Sequence, residues 1–156
     1  MTPDELMRRA IALSMEKMQT GSGGPFGAVI ARGGEIVAEG WNEVTSANDP
    51  TAHAEVTAIR RACTALGRFE LSDCEIYTSC EPCPMCLAAV YWARLRRIHY
   101  GNDRKAAAAI GFDDEFLYLE VPKPIAERAI PTTQLLGEEA RAAFDAWAEK
   151  PDKVPY

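Results

Sequence analysis

The order of apolar and polar residues predicts helices and strands that alternate along the chain. Segment 4–19 has apolar residues at roughly helical spacing, and Pro3 suits the start of a helix. Phe26 to Arg32 and Glu35 to Trp41 are predicted as two strands. Gly33-Gly34 between them is typical of a two-residue hairpin turn. The Gly-rich segment 21–24 lacks the Lys-Ser/Thr ending of a phosphate-binding loop, so it is predicted to be a turn.

The rest of the chain continues this alternation. Asn48-Asp49-Pro50-Thr51 resembles a helix cap, and Gly67 suits the end of the helix that follows. The further elements predicted are a strand at 73–79, a helix from about Pro84, a strand at 97–100, a strand at 117–121 and a helix at 138–150. This order favours one α/β domain over residues 1–156, with a mixed sheet of about five strands covered by helices on both faces.

Composition narrows the class of protein. Hydrophobic residues make up 47% and charged residues 26% of 156 residues, as in ordinary globular domains. The net charge of -6 argues weakly against a protein that holds a phosphate backbone. The cysteine count is five, which is odd and unlike a secreted disulfide framework. No signal-peptide layout and no membrane-spanning run is present, so we expect a cytoplasmic protein that does not use a membrane.

Two short stretches carry candidate chemistry. His53-Ala54-Glu55 offers an imidazole and a carboxylate, and Pro82-Cys83-Pro84-Met85-Cys86 offers two thiolates. One imidazole and two thiolates are three good zinc ligands, and they leave the fourth tetrahedral position open, as in catalytic zinc sites. Zinc lowers the pKa of water bound there, and Glu55 can then move protons between water and substrate.

The spacing within the first stretch restricts its geometry. Residues two apart in a regular helix point about 200° away from each other. His53 and Glu55 can therefore face one metal only if His53 lies at the very edge of its helix. Cys83 and Cys86 are three apart and can share one face at the start of the next helix. Two helix N-termini would then favour thiolates beside the metal.

These residues carry a family resemblance. The pattern H-x-E followed by P-C-x-x-C is the signature of zinc nucleobase deaminases. The chain resembles the bacterial guanine deaminases of the cytidine/deoxycytidylate deaminase superfamily. Further matching stretches are 24–30, 48–55, 77–82, 91–94 and 111–114, and the terminal Tyr156. The resemblance implies a three-layer α/β/α cytidine-deaminase-like fold.

The resemblance also implies a reaction. It is the hydrolysis of guanine to xanthine and ammonia by a zinc-dependent aminohydrolase with one zinc ion per subunit. His53, Cys83 and Cys86 would hold zinc, zinc hydroxide would attack C2 of the purine, and Glu55 would shuttle protons.

Other residues take roles by the same resemblance. Phe26 would stack on the base, Asn42 would hydrogen-bond to it, and Trp92 would line the pocket. Asp114 would contact the base or amino group and is a candidate second proton carrier. The family forms homodimers that exchange C-terminal segments, so Tyr156 would help to close an active site, its own or its partner's. From residue type alone, Asn42 is explained equally well as a residue that ends a strand because of its turn propensity.

Several alternatives remain open. A tRNA adenosine deaminase shares the zinc motif but should be more basic, and cytosine or an ammeline-like aminotriazine could be the substrate. Cys83-Pro84-Met85-Cys86 is also compatible with thiol exchange, which leaves His53 and Glu55 without a role. Cys80, Cys83 and Cys86 share the spacing of an iron–sulfur motif without its fourth cysteine. Cys80 could instead close a structural zinc site.

Overall fold

The computed structural model describes all 156 residues as a sheet between helices. The elements are α1 (Pro3–Gln19), β1 (Gly27–Arg32), β2 (Glu35–Trp41), α2 (Val44–Ala47), α3 (Ala54–Leu66), β3 (Glu75–Cys80), α4 (Pro84–Trp92), β4 (Arg97–Asn102), α5 (Arg104–Ala109), α6 (Asp114–Glu120), a short 3-10 turn (Ile125–Glu127) and α7 (Gly137–Glu149). None of the helices is long and apolar enough to cross a bilayer.

The sheet is mixed and has the strand order β2-β1-β3-β4. β1 is antiparallel to both β2 and β3, whereas β3 and β4 are parallel. The β1–β2 hairpin turns at Gly33 and Gly34, whose φ values of 59° and 85° require the freedom of glycine. Because of these directions, the start of β1 and the ends of β2 and β3 lie at one edge of the sheet.

Strand alternation produces two cores, one on each face. Ala28 and Ile30 of β1 face α3 and α4, together with Ile76 of β3. Val29 and Ala31 face the other way and pack with α1. Successive strand residues point to opposite faces, so β1 is buried on both sides. The predicted three-layer α/β/α arrangement is confirmed.

The predicted fifth strand is wrong. The sheet has four strands, and the residues predicted as a strand at 117–121 belong mostly to helix α6. Short apolar runs fit a helix as well as a strand. Here Asp114 and Glu115 occupy the first turn, where carboxylates favour a helix through the dipole of its N-terminus.

The C-terminal third of the chain adds nothing to either core. No residue after Ala107 is buried, although this part carries large apolar side chains. Phe144 of α7 is 79% exposed and Ile130 is 80% exposed. Helix α7 therefore has an apolar face that no other part of the single chain buries.

Candidate active site

The two motif stretches meet at the starts of two helices. His53 is the N-cap of α3, with extended backbone at φ -69° and ψ 157°. Cys83 is the N-cap of α4 in nearly the same conformation, at φ -66° and ψ 167°. His53 therefore sits at the edge of its helix, as the spacing requires, and Glu55 enters the same site from the first turn of α3.

The three candidate ligands are close enough to share one ion. His53 Nδ1 lies 3.6 Å from Cys83 Sγ and 3.4 Å from Cys86 Sγ. All three ligand atoms lie within 4.8 Å of one another. A tetrahedral ion with ordinary Zn–N and Zn–S bonds would hold N and S about 3.6 Å apart. The residues therefore fit zinc, and they supply three ligands rather than four.

The environment favours the thiolate form of Cys83 and the thiol form of Cys86. Hydrogen bonding from Cys86 lowers the pKa of Cys83 to about 4. The same contact raises the pKa of Cys86, because the pair shares one proton. The hydrogen bond with Cys83 raises the pKa of His53 above its ordinary value. A cation at the cluster would replace these protons, since thiolates and neutral imidazole are the forms that bind metals.

Cys80 does not join this cluster. It is buried, and its Sγ lies 3.9 Å from the carbonyl oxygen of Asp103. Burial raises its pKa to about 11, so it stays a thiol. This placement weighs against both a closed zinc site and an iron–sulfur cluster built on Cys80.

Glu55 is a buried carboxyl group beside the cluster. It is 6% exposed, and burial raises its pKa. Thr78 Oγ1 lies 3.4 Å from Glu55 Oε1 and donates its proton to the carbonyl oxygen of Cys80 at 2.9 Å. Burial therefore makes the protonated form of Glu55 more accessible than for an exposed glutamate, and general acid–base chemistry needs a group that both takes up and gives up a proton.

A cavity of about 500 Å³ opens beside Glu55 and the cluster. This volume lies within the range of small-molecule sites. The cavity, called the pocket below, lies at the sheet edge formed by the start of β1 and the ends of β2 and β3. Its lining includes Gly23, Gly24, Phe26, Asn42, Val44, Thr45, His53, Glu55, Cys80, Glu81, Cys83, Phe112 and Asp114.

The side chain of Asn42 has a fixed orientation in the pocket. Its Oδ1 accepts hydrogen bonds from the backbone N–H groups of Gly24 at 3.1 Å and Val44 at 3.2 Å. Backbone N–H groups can bond only to the oxygen end of an amide, so the two ends cannot be exchanged. Asn42 therefore presents its NH₂ group, a donor, to whatever occupies the pocket.

Besides Glu55, two carboxyl groups line the pocket, and their pKa values are shifted in opposite directions. Arg104 donates to Glu81 from its backbone N–H, Nε and Nη2, at 2.9, 3.0 and 2.7 Å, and this lowers the pKa of Glu81. Asp114 has no such partner, and burial raises its pKa. Of these two acids, Asp114 is the one with the properties of a second proton carrier.

Sequence reasoning missed one aromatic residue of the pocket. Phe112 meets Phe26 edge to face, with ring centroids 4.8 Å apart and planes at 85°. Its sequence surroundings, a run of acids from Asp113 to Glu115, look like a solvated loop. The available signal was the match of segment 111–114 to the family, from which a role was assigned to Asp114 and none to Phe112.

Trp92 and Tyr156 lie elsewhere in the single chain. They are 63% and 72% exposed, and their ring centroids are 5.8 Å apart. The surface they share includes Phe144, Trp147 and Pro155. Neither residue lines the pocket, so their predicted roles at the substrate stay predictions.

The fold and the His/Cys/Cys cluster define a zinc-binding hydrolase of the deaminase type. Residues 1–102 match the family model of the cytidine and deoxycytidylate deaminase zinc-binding region, and the chain belongs to this family. Within it, the chain is 52% identical to guanine deaminase from Bacillus subtilis over 156 residues, which is 100% of both proteins. The crystal structure of that enzyme superposes with a TM-score of 0.97 over 100% of this chain and 99% of that chain.

Two further relatives are less similar. The guanine deaminase structure from Nitrosomonas europaea superposes with a TM-score of 0.70 at 32% identity, over 72% of this chain and 65% of that one. A tRNA-specific adenosine deaminase from Agrobacterium fabrum is 46% identical over 85 residues, 54% of this chain and 56% of that protein.

Proposed function

We propose that this protein is a guanine deaminase, which hydrolyses guanine to xanthine and ammonia with one zinc ion per subunit. The observation that supports this proposal most strongly is the pocket, a cavity beside both buried Glu55 and the cluster of His53, Cys83 and Cys86. Similarity to the Bacillus subtilis enzyme over the whole chain supports guanine as the substrate.

The metal cluster and Glu55 have different roles in the proposed reaction. Zinc, when bound by His53, Cys83 and Cys86, lowers the pKa of a coordinated water and so supplies the nucleophile near neutral pH. Glu55 takes up the proton of the attacking water on its carboxylate. It then delivers that proton to a ring nitrogen, and afterwards passes the remaining proton of the added hydroxyl to the departing amine, which leaves as ammonia. Its burial supports this role, because burial raises its pKa and so makes the protonated form more accessible than for an exposed glutamate.

The rest of the pocket suits a planar base with acceptors on its edge. Phe26, backed by Phe112, offers an aromatic face for stacking. The NH₂ group of Asn42 donates to an acceptor, and guanine carries acceptors at O6, N3 and N7. Asp114 accepts from a ring N–H or the amino group, and its raised pKa suits proton transfer there.

We infer a homodimer in which C-terminal segments cover apolar surfaces of the partner. The surface area of 9952 Å² exceeds the roughly 7,800 Å² expected of a compact monomer of this mass. The excess fits the absence of buried residues after Ala107. Trp92 and Tyr156, which lie outside the pocket of their own chain, would then reach an active site through the partner.

Reduced thiols support a cytoplasmic setting. All five cysteines are free, and four of them are buried: Cys74, Cys80, Cys83 and Cys86. Such a set persists where the surroundings are reducing.

A tRNA adenosine deaminase is the second candidate, since one such enzyme shares 46% identity over 85 residues. The net charge of -6 weighs against it, because RNA binding draws on basic surfaces. Similarity to guanine deaminase over the full chain favours a free base as the substrate.

The test is a substrate screen with zinc-loaded protein. Ammonia release is measured with guanine, cytosine, adenine, ammeline and a tRNA anticodon stem-loop. Guanine should be turned over fastest. Glu55→Gln should keep zinc and lose turnover by about 10²-fold or more. Faster turnover of another substrate, or near-normal turnover by Glu55→Gln, would contradict the proposal.

A further inference from the structure

Arg61 of α3 holds the segment that carries Asn42 at three points. Its Nη1 donates to the carbonyl oxygen of Glu39 at 3.0 Å. Its Nη2 donates to both carboxylate oxygens of Glu43, at 3.2 and 3.1 Å. The guanidinium carbon also lies 4.0 Å from the centre of the Trp41 ring. The three contacts fall on both sides of Asn42 along the chain.

The same segment is packed against the backbone of α3. A Cβ placed on Gly40 would lie 2.2 Å from the carbonyl oxygen of Ala54 and 2.5 Å from the N of Ala58. The backbone N–H of Glu43 also donates to the carbonyl oxygen of Ala52 at 2.9 Å. The end of β2 therefore packs on α3, the helix that carries Glu55. Arg61, which lies further along the same helix, binds this end of β2 through Glu39 and Glu43.

The position of Asn42 depends on this segment. Its backbone N–H donates to the carbonyl oxygen of Phe26 at 3.1 Å. Its Oδ1 accepts from Gly24 and Val44. A movement of residues 39–43 relative to α3 would stretch the bonds to Phe26 and Gly24, whose partners lie outside this segment, and would shift the NH₂ group in the pocket.

We propose that Arg61 is a positioning residue that sets the distance between the Asn42 amide and Glu55. This inference rests on the proposed function, because it requires Asn42 to contact the base. Arginine suits the role because a planar guanidinium with five donors can serve a carbonyl, a carboxylate and an aromatic face at once. Lysine has a single ammonium group and cannot make this set of contacts. Lys17, 4.2 Å from the Trp41 ring, reaches only that ring.

The neighbouring Arg60 provides a matched control. It lies on the same helix, but its guanidinium faces Asp49 at 3.6 Å and Thr51 at 3.3 Å, away from Asn42. Arg60→Met and Arg61→Met remove the same charge and leave the same apolar stem. Only Arg61→Met should release the segment.

The experiment is steady-state guanine kinetics on zinc-loaded variants. Arg61→Met should raise KM about tenfold, as expected when one well-placed hydrogen bond is lost. Its kcat should change by less than about threefold, because the metal cluster and Glu55 are untouched. Arg61→Lys should be intermediate, and Arg60→Met should match the unsubstituted protein. Unchanged KM in Arg61→Met would overturn the inference.

A double-mutant cycle separates positioning from general destabilisation. If Arg61 acts through Asn42, Arg61→Met should have no further effect on KM in the Asn42→Ala background. The same rise in KM in both backgrounds would overturn the inference while leaving the role of Asn42 intact. An unchanged KM in Asn42→Ala alone would instead contradict the proposed contact with the base.

A crystal structure of Arg61→Met gives a readout that needs no turnover. The inference expects Asn42 Oδ1 to lie beyond hydrogen-bond distance of Gly24 N or Val44 N. An unmoved Asn42 would overturn it, whatever the substrate proves to be.

Discussion

Gly23 allows Asn42 to occupy the pocket, and adding one methyl group there should damage base binding. A Cβ at position 23 would lie 2.3 Å from Asn42 Oδ1 and 2.5 Å from the carbonyl oxygen of Asn42. Carbon and oxygen need about 3.3 Å, so Gly23→Ala forces a displacement of about 1 Å. Both clashing atoms belong to Asn42, and one of them is backbone, which cannot rotate away.

The magnitude follows from the bonds that this displacement stretches. Asn42 Oδ1 accepts at 3.1 Å from Gly24 and at 3.2 Å from Val44, so a shift of about 1 Å breaks both bonds. At about 1 kcal/mol each, the loss is about 2 kcal/mol. This corresponds to roughly a thirtyfold fall in kcat/KM for guanine, because 1.4 kcal/mol is a factor of ten.

The assay is the initial rate of guanine loss over a range of concentrations, with zinc measured in the same samples. Zinc content should be unchanged, since none of the three candidate ligands contacts position 23. Ser22→Ala is the control, because it changes the adjacent residue without adding a Cβ. A Gly23→Ala protein with kcat/KM within twofold of the unsubstituted one would refute the reasoning.

Three further outcomes are expected. Cys83→Ala should lose zinc while Cys80→Ala keeps it, as measured by metal analysis; equal loss would indicate a four-ligand site. Deleting residues 155–156 should lower turnover with little change in thermal unfolding, and unchanged kinetics would rule out a part in closing the pocket. Hydrogen bonding from His99 lowers the pKa of Glu75, so its carboxylate stabilises the fold above the ordinary glutamate pKa and loses that effect as pH falls below it. Glu75→Gln should therefore lower the free energy of unfolding, measured with urea, by roughly 1–2 kcal/mol at pH 7 and by much less at pH 3.5. An equal loss at both pH values would contradict a stabilising role of the Glu75 carboxylate.

Within each half of the metal cluster the geometry is local and could be predicted from sequence, whereas the meeting of the two halves, 30 positions apart, was expected from the zinc-deaminase motif. His53 and Cys83 each precede a helix by one residue, and the helix that follows fixes the direction of the side chain. The spacing of Cys83 and Cys86 then places both sulfurs on one side. The hairpin at Gly33-Gly34 and the alternating faces of β1 were predictable for the same reason.

Features that depend on distant parts of the chain were not predictable. Segment 117–121 has an apolar pattern that fits strand or helix, so this pattern alone did not select helix α6. Phe112 reaches Phe26 across 86 positions of sequence, and Arg61 reaches Glu39 across 22. Such contacts follow from how β2, α3 and α6 pack, which no local pattern encodes.

This difference explains how one zinc site can serve several substrates. The cluster and Glu55 come from the starts of α3 and α4, whereas much of the remaining pocket lining comes from segments 23–26, 42–45 and 112–114. The second set lies on loops at the sheet edge and at the starts of α2 and α6, and these segments can change without moving α3 or α4. On this division of the site, relatives can keep the metal ligands while the rest of the pocket differs between them. For the same reason, exchanging segments 42–45 and 112–114 between such relatives should alter the substrate while leaving zinc content at one ion per chain.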